Sequence, residues 1–424
     1  MTIAEKILAR ASGQSVVNAG QYVLANIDRV MVIGERMGEL TGGPEVLSRW
    51  PKDIKLTKVW DADRIVVINE HVAPPDNVNV AEQYVNTRKA VKKFGIRNFF
   101  DIGRAGICHQ VFCEHGFARP GELVVAPDSH TCTYGAFNVA ARGINFELPY
   151  VLTFGHTWFR VPETIKIIIH GNLPKGVYSK DIILYIAGLY GSDFALYKSL
   201  EIVGSTVDKM SIASRMTIAN MGVEIGAKFT LFEADKQVTD YVKQRSNEKF
   251  EPVFADKDAK YNKVIEIDVS TLEPQVACPH EVDNVNSVTS VIGKKIDQAF
   301  LGSCTNARYE DLEIAAYILK GRKVHPDVRL IITPASELIY IKAMNNGLFD
   351  IFKQAGALIT HSTCGACAGL QLGVIGPNEV CIGSHNRNFK GRMGSKTSEI
   401  YLGSPATVAA SSIEGVIADP RPYL

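Results

Sequence analysis

The chain has 424 residues, of which 46% are hydrophobic and 21% charged, with a formal net charge of +1. That length exceeds one core of typical size, so two or three domains are expected, and the composition is that of an ordinary globular enzyme. The near-zero charge argues against a surface built for nucleic acid or anionic membranes, and no apolar run reaches the roughly 18 residues of a membrane span.

The chain opens with MTIAEKILARASGQ, whose short apolar pattern is interrupted by Glu5. It reads as a helix of the mature protein rather than a secretory signal, which predicts a cytoplasmic location. Strand-like and helix-like segments then alternate, the pattern of an α/β fold. Residues 243–263, KQRSNEKFEPVFADKDAKYNK, are charged and lack apolar periodicity, and are expected to be a flexible connection. A coarse division is 1–160, 161–285 and 286–424.

The last third is the clearest. AFLG (299–302) is a strand, and the helix ARYEDLEIAAYILKG follows it, with Leu312, Ala315, Ala316 and Leu319 on one face. Asn306 is the expected N-cap and Gly321 the stop. VRLIIT (328–333), ALIT (357–360) and VCIG (380–383) are further strands, with SELIYIKAMNNG a helix between the first two. A β-α-β-α-β series predicts parallel strands, and ligands of open α/β sheets gather outside the strands' carboxyl ends.

Three cysteines fall at such ends: Cys304 in LGSCTN, and Cys364 and Cys367 in STCGACAG. Disulfides are not expected of the eight cysteines in a long cytosolic chain. Thiolates suit zinc or an iron–sulfur cluster, and buried unligated cysteines are the third reading. Zinc would need a fourth ligand such as His361 or Cys381. A cubane held by three thiolates leaves one iron open to act as a Lewis acid. In NRNFKGR, directly after the strand VCIG, Arg387 and Arg392 offer forks for carboxylates, or else a solvated basic loop with Lys390 and Lys396. His71, His109 and His130 lie near acids, among them Glu70 and Asp128, as general acid–base work requires, although any one histidine alone can be structural. Phosphate-loop, H-E-x-x-H, G-x-S-x-G and dinucleotide motifs are absent.

Taken together, DSHTCTYGAF, MSIASRMTIANMGVEIGA, LGSCTN, the C-x-x-C of STCGACAG and NRNFKGR resemble the aconitase family, in order, over nearly the whole chain. The length and the ending IEGVIADPR resemble the separate large subunits of isopropylmalate and homoaconitate dehydratases. The resemblance implies a three-domain aconitase-like large subunit, α/β sheets around a central cluster site, lacking the swivel domain. It implies a [4Fe–4S] cluster on Cys304, Cys364 and Cys367, and reversible dehydration of a 2- or 3-hydroxy di- or tricarboxylic acid. It pairs His71 with Glu70, His109 with Asp128 and His130 with Glu201, makes His71 the acid for the leaving hydroxyl, and puts Arg387, Arg392 and Ser129 on the substrate. A small swivel-domain subunit would supply the catalytic base. Two departures stand out. Glu70 precedes His71 where the family commonly has Asp, and RGINFELPYVLTFGHTW (142–158) replaces a G-[ST]-T-D type loop. A dimethylmalate or citramalate dehydratase, a zinc-stabilised interaction protein and a cluster-free nucleic-acid binder are the competing readings.

Overall fold

The computed structural model describes residues 1–44 and 55–424. Its strands form three large sheets and a two-stranded ribbon. The first sheet has the order Asn98–Phe100, Ile65–Ile68, Arg29–Ile33, Leu123–Ala126, Ala140–Gly143, and every neighbouring pair is parallel. Helices cover it, so its central strands are buried on both faces and read as the continuous apolar runs IVVI and LVVA. The second sheet, also parallel, runs Phe229–Phe232, Ser199–Val203, Thr164–His170, Lys263–Asp268.

The third sheet has seven strands. Glu399–Leu402, Val380–Gly383, Gln298–Leu301, Arg329–Ile332 and Leu358–Ile359 are mutually parallel, as the β-α-β series predicts. Gln275–Ala277 joins its edge antiparallel and carries Val285–Ser287 beyond it. The first of these short strands comes from the middle segment of the sequence division, and the second straddles its boundary at 285/286. One buried apolar cluster links all three sheets through residues such as Val66, Ile167 and Phe300, so they share a core.

Local signals explain most element ends. Thr2 and Glu5 form a capping box on the first helix, Ile3–Ser12, and Gly13 closes it with a left-handed φ of 68°. The helix Tyr309–Leu319 buries Leu312, Ala315, Ala316 and Leu319. Asn306 is not its N-cap. Arg308 occupies that position, and the carboxylate of Asp311 accepts from the Arg308 backbone at 2.9 Å and from Asn306 Nδ2 at 2.9 Å. The capping oxygen comes from inside the helix, so Asn306 is left to brace the loop.

The segment 243–263 is not a loose connection. The Asn138 side chain brackets its backbone, donating to Val253 O at 2.9 Å and accepting from Val253 N at 2.8 Å. Glu248 pairs with Arg29 and Arg119, and Asp256 pairs with the N-terminal amine. The charges that suggested solvent are used as anchors.

Two glycines set the packing beneath the site. A Cβ on Gly135 would fall 1.7 Å from Thr230 O, and one on Gly222 would fall 1.9 Å from Thr230 Oγ1. Only glycine allows the turn helix Ser129–Phe137 and the short helix Gly222–Ile225 to press onto the strand Phe229–Phe232 from two sides.

Candidate active site

The carboxyl ends of two sheets face each other. From the first sheet, Glu70 and His71 follow Ile65–Ile68, and Asp128, Ser129 and His130 follow Leu123–Ala126. From the third, Cys304 follows Gln298–Leu301, Cys364 and Cys367 follow Leu358–Ile359, and Arg387 and Arg392 follow Val380–Gly383. His109 projects from the helix Cys108–Glu114. Hydrogen bonds cross between the sheets: Cys364 Sγ donates to Glu70 Oε2 at 3.2 Å, and Gln371 Nε2 donates to His71 O at 3.0 Å.

Each of the three histidines lies against a carboxylate. His71 Nδ1 lies 2.6 Å from Glu70 Oε1, a contact that is close but poorly aligned for a hydrogen bond, and its Nε2 lies 3.8 Å from Asp128 Oδ2. His109 Nε2 lies 2.8 Å from Asp128 Oδ1, while its Nδ1 meets the Tyr134 hydroxyl at 3.1 Å. His130 does not pair with Glu201. Its Nε2 lies 2.7 Å from Glu224 Oε1, and Arg387 Nε donates to the same oxygen at 2.8 Å. Glu201 sits within the strand Ser199–Val203, where its carboxylate accepts from Ile3 N and the Tyr261 hydroxyl, each at 2.7 Å. Glu201 ties the N-terminal helix to the second sheet.

Burial opposes charge on Glu70, His71, Asp128, His130 and Glu224, and their pairing overrides it. Against its burial, Glu70 above all, with Glu35 and Asp128, raises His71 to about 10. Against theirs, Asp128 is held well below the usual carboxylate range by His109 and His130, and Glu224 is lowered by His130 and Arg387. His130 is raised by Asp128 and Glu224. The centre sets three imidazoles against carboxylates, the arrangement that proton transfer requires.

The three thiols converge beside these pairs. Asn220 Nδ2 and Asn386 Nδ2 donate to Cys304 Sγ at 3.1 and 3.3 Å. Ser303 Oγ donates to Cys367 Sγ at 3.5 Å, and Arg392 Nη2 points at the same sulfur from 3.7 Å. Burial raises the Cys304 thiol to about 12, and burial with Glu70 pushes Cys364 well up. Cys367 is lowered despite burial, because Arg392 and Ser303 favour its thiolate.

A single zinc ion, with metal–sulfur bonds of about 2.3 Å, needs sulfurs within about 4 Å of one another. Among the described residues, the group whose donor atoms lie within 4.8 Å of one another is Glu70, His71 and Cys364, not the three cysteines. Neither fourth zinc ligand expected from the sequence is free for the role: Cys381 is buried within its strand with its thiol on Ile382 O, and His361 Nε2 contacts Ala73 O at 2.6 Å. Three sulfurs spread wider than one ion, two of them ringed by N–H and O–H donors, fit a polynuclear cluster with thiolate ligands. All eight cysteines are free.

Sequence reasoning missed Glu224, Asn220, Asn386 and Ser303. Glu224 and Asn220 lie in MSIASRMTIANMGVEIGA, but nothing in that stretch marks them off from residues that merely pack a helix. Ser129 stands at the mouth of the site, its Oγ 3.5 Å from His130 Nδ1.

The model of the aconitase family (aconitate hydratase) matches residues 56–295 and 286–415. The chain belongs to the aconitase family, and its α/β sheets around a convergent site are those of that family. Among relatives, "3-isopropylmalate dehydratase large subunit 1" of Methanopyrus kandleri is 47% identical over 424 residues, covering 100% of this chain and 99% of that protein. "Probable methanogen homoaconitase large subunit" of Methanothermobacter thermautotrophicus is 46% identical over 426 residues, with 99% and 98% covered. A crystal structure of Thermococcus kodakaraensis aconitase X overlaps 88% of each chain with a TM-score of 0.48 and 12% identity. No helix of the described residues is long and apolar enough to cross a membrane.

Proposed function

We propose that this chain is the large subunit of a 3-isopropylmalate dehydratase, working in the cytoplasm with a separate small subunit. The observation that carries the reading is the convergence of three histidine–carboxylate pairs, two arginines and three thiols at facing strand ends. Whole-length identity of 47% to a protein of that name supports it.

Cys304, Cys364 and Cys367 would hold a [4Fe–4S] cluster, which when bound supplies a Lewis acid for a substrate carboxylate and hydroxyl. Arg387, fixed by Glu224, and Arg392, fixed against Cys367, are placed to hold carboxylates. His71 is charged at neutral pH, with Nδ1 committed to Glu70 and Nε2 turned toward Asp128. As the carbon–oxygen bond breaks, the His71 Nε2 proton passes to the departing hydroxyl, which leaves as water. Asp128, between His71, His109 and His130, holds the imidazoles in one arrangement. The carbon-bound proton goes to a base on the small subunit, as the large-subunit names of full-length relatives suggest.

A homoaconitase reading rests on a relative of nearly equal identity, 46%. The two substrates differ in an isopropyl group against a carboxylate-bearing arm. The test is anaerobic reconstitution, measurement of iron and sulfide, and assay on 3-isopropylmalate and homocitrate with and without a small subunit. The expected result is about four irons and four sulfides per chain, and turnover only with the partner. Zinc without sulfide overturns the cluster, and robust turnover of the chain alone overturns the two-subunit reading.

A further inference from the structure

Next to the catalytic centre, along the same edge of the first sheet, lies a cavity of about 580 Å³. Asp128 and Ser129 form the wall it shares with that centre, and Arg142, Glu147, Tyr197 and Lys228 line the rest together with apolar side chains. Lys228 is 9% exposed. Its Nζ donates to the Tyr197 hydroxyl at 2.6 Å and to Arg160 O at 3.1 Å, and lies 4.0 Å from the centre of the Tyr197 ring. All of these partners are neutral.

The charges acting on Lys228 make its burial costlier. Burial, then Arg142 and Arg160, lower it to about 7, and no carboxylate among the described residues opposes them. Both acids in the cavity wall are committed elsewhere: Asp128 to His109 at 2.8 Å, Glu147 to Arg142 at 2.9 Å. A buried cation without an anion, facing an open cavity, is unfavourable unless the cavity receives one.

We propose that this cavity is a carboxylate-binding site, in which Lys228 and Arg142 clamp one carboxylate of a small polycarboxylic acid. The apolar wall, with Ile144, Leu196 and Val223, accommodates its carbon chain. The carboxylate comes either from the far arm of an acid seated at Arg387 and Arg392, or from a second acid bound in the cavity alone. The first source rests on the dehydratase reading of Arg387 and Arg392, while the second does not.

Isothermal titration of the anaerobically reconstituted chain with citrate, and with succinate, tests it. Lys228→Met and Arg142→Gln are each expected to weaken citrate binding at least tenfold, and Lys228→Arg to retain it. One citrate per chain, weakened also by Arg387→Gln, assigns the carboxylate to an acid spanning both positions. A second equivalent that survives Arg387→Gln assigns it to a separate acid. Unchanged citrate binding in folded Lys228→Met and Arg142→Gln overturns the proposal, as does failure of the unmodified chain to bind either acid at millimolar concentration. Should Lys228→Met not fold, Arg142→Gln decides.

Discussion

Glu224 Oε1 lies 2.7 Å from His130 Nε2, although ninety-four positions separate the two residues in the chain. The same oxygen receives Arg387 Nε at 2.8 Å, so one carboxylate orients both a histidine and an arginine. Glu201, the partner expected from family resemblance, serves the N-terminal helix instead.

Glu224→Gln keeps the shape of the side chain but removes the charge that His130 and Arg387 share. Loss of such a group costs about 10² to 10⁴ in kcat, with the melting temperature little changed. Glu201→Gln should do the reverse. It keeps kcat but disturbs two hydrogen bonds, to Ile3 and Tyr261, and lowers stability by roughly 1–3 kcal/mol. Steady-state kinetics and thermal melts of both variants separate the roles.

Glu70 reaches three partners at once: His71 Nδ1 at 2.6 Å, Cys108 N at 3.2 Å and Cys364 Sγ at 3.2 Å. Aspartate, the residue more common in the family, is one methylene shorter and cannot span them here. Glu70→Asp is expected to lower kcat by roughly 10- to 100-fold. Full activity in that variant would show that the site adjusts to the shorter acid.

Replacing Cys304, Cys364 or Cys367 by serine should remove most iron and labile sulfide from the reconstituted chain. Cys381→Ser should leave both intact, because that thiol is buried on Ile382 O within its strand. Loss of iron on changing Cys381, with retention on changing Cys304, would reverse the assignment of ligands.

Asn138 makes three hydrogen bonds that clamp residues 253 and 232, to Val253 O, Val253 N and Phe232 O. It does so from a left-handed φ of 63°. Asn138→Ala is expected to destabilise by about 3 kcal/mol for the bonds, and by another ~1 kcal/mol for alanine in that conformation. Asn138→Gly should recover the second part. Urea unfolding measures both.

Folded Lys228 gives up its proton near pH 7, while the unfolded side chain keeps it to about 10.5. Between those values the unfolded chain binds more protons, so this group makes stability rise with pH. Lys228→Met should melt at a higher temperature than the unmodified chain at pH 6. The gap should narrow steadily from pH 7 upward. A gap independent of pH would mean that Lys228 is not buried as a charge.

The strands of the last third and their parallel order were legible because local signals there agree: apolar runs, a periodic helix face and turn residues at each end. His71 with Glu70 could be paired because the two are adjacent, and Cys304, Cys364 and Cys367 because they follow strands of one sheet. Glu224 could not be found this way. It carries no local mark, and reaches His130 only because Gly135 and Gly222 let two short helices close on Thr230. Nor could the charged run 243–263 be told from a linker, since its anchors, Asn138, Arg29 and Arg119, lie more than a hundred positions away. The sequence by itself determined the family, the α/β alternation and the chemical types present at the strand ends. The tertiary structure decided which carboxylate faces which imidazole and where a lysine is buried without a counter-charge, because both depend on distances between segments that no local pattern encodes.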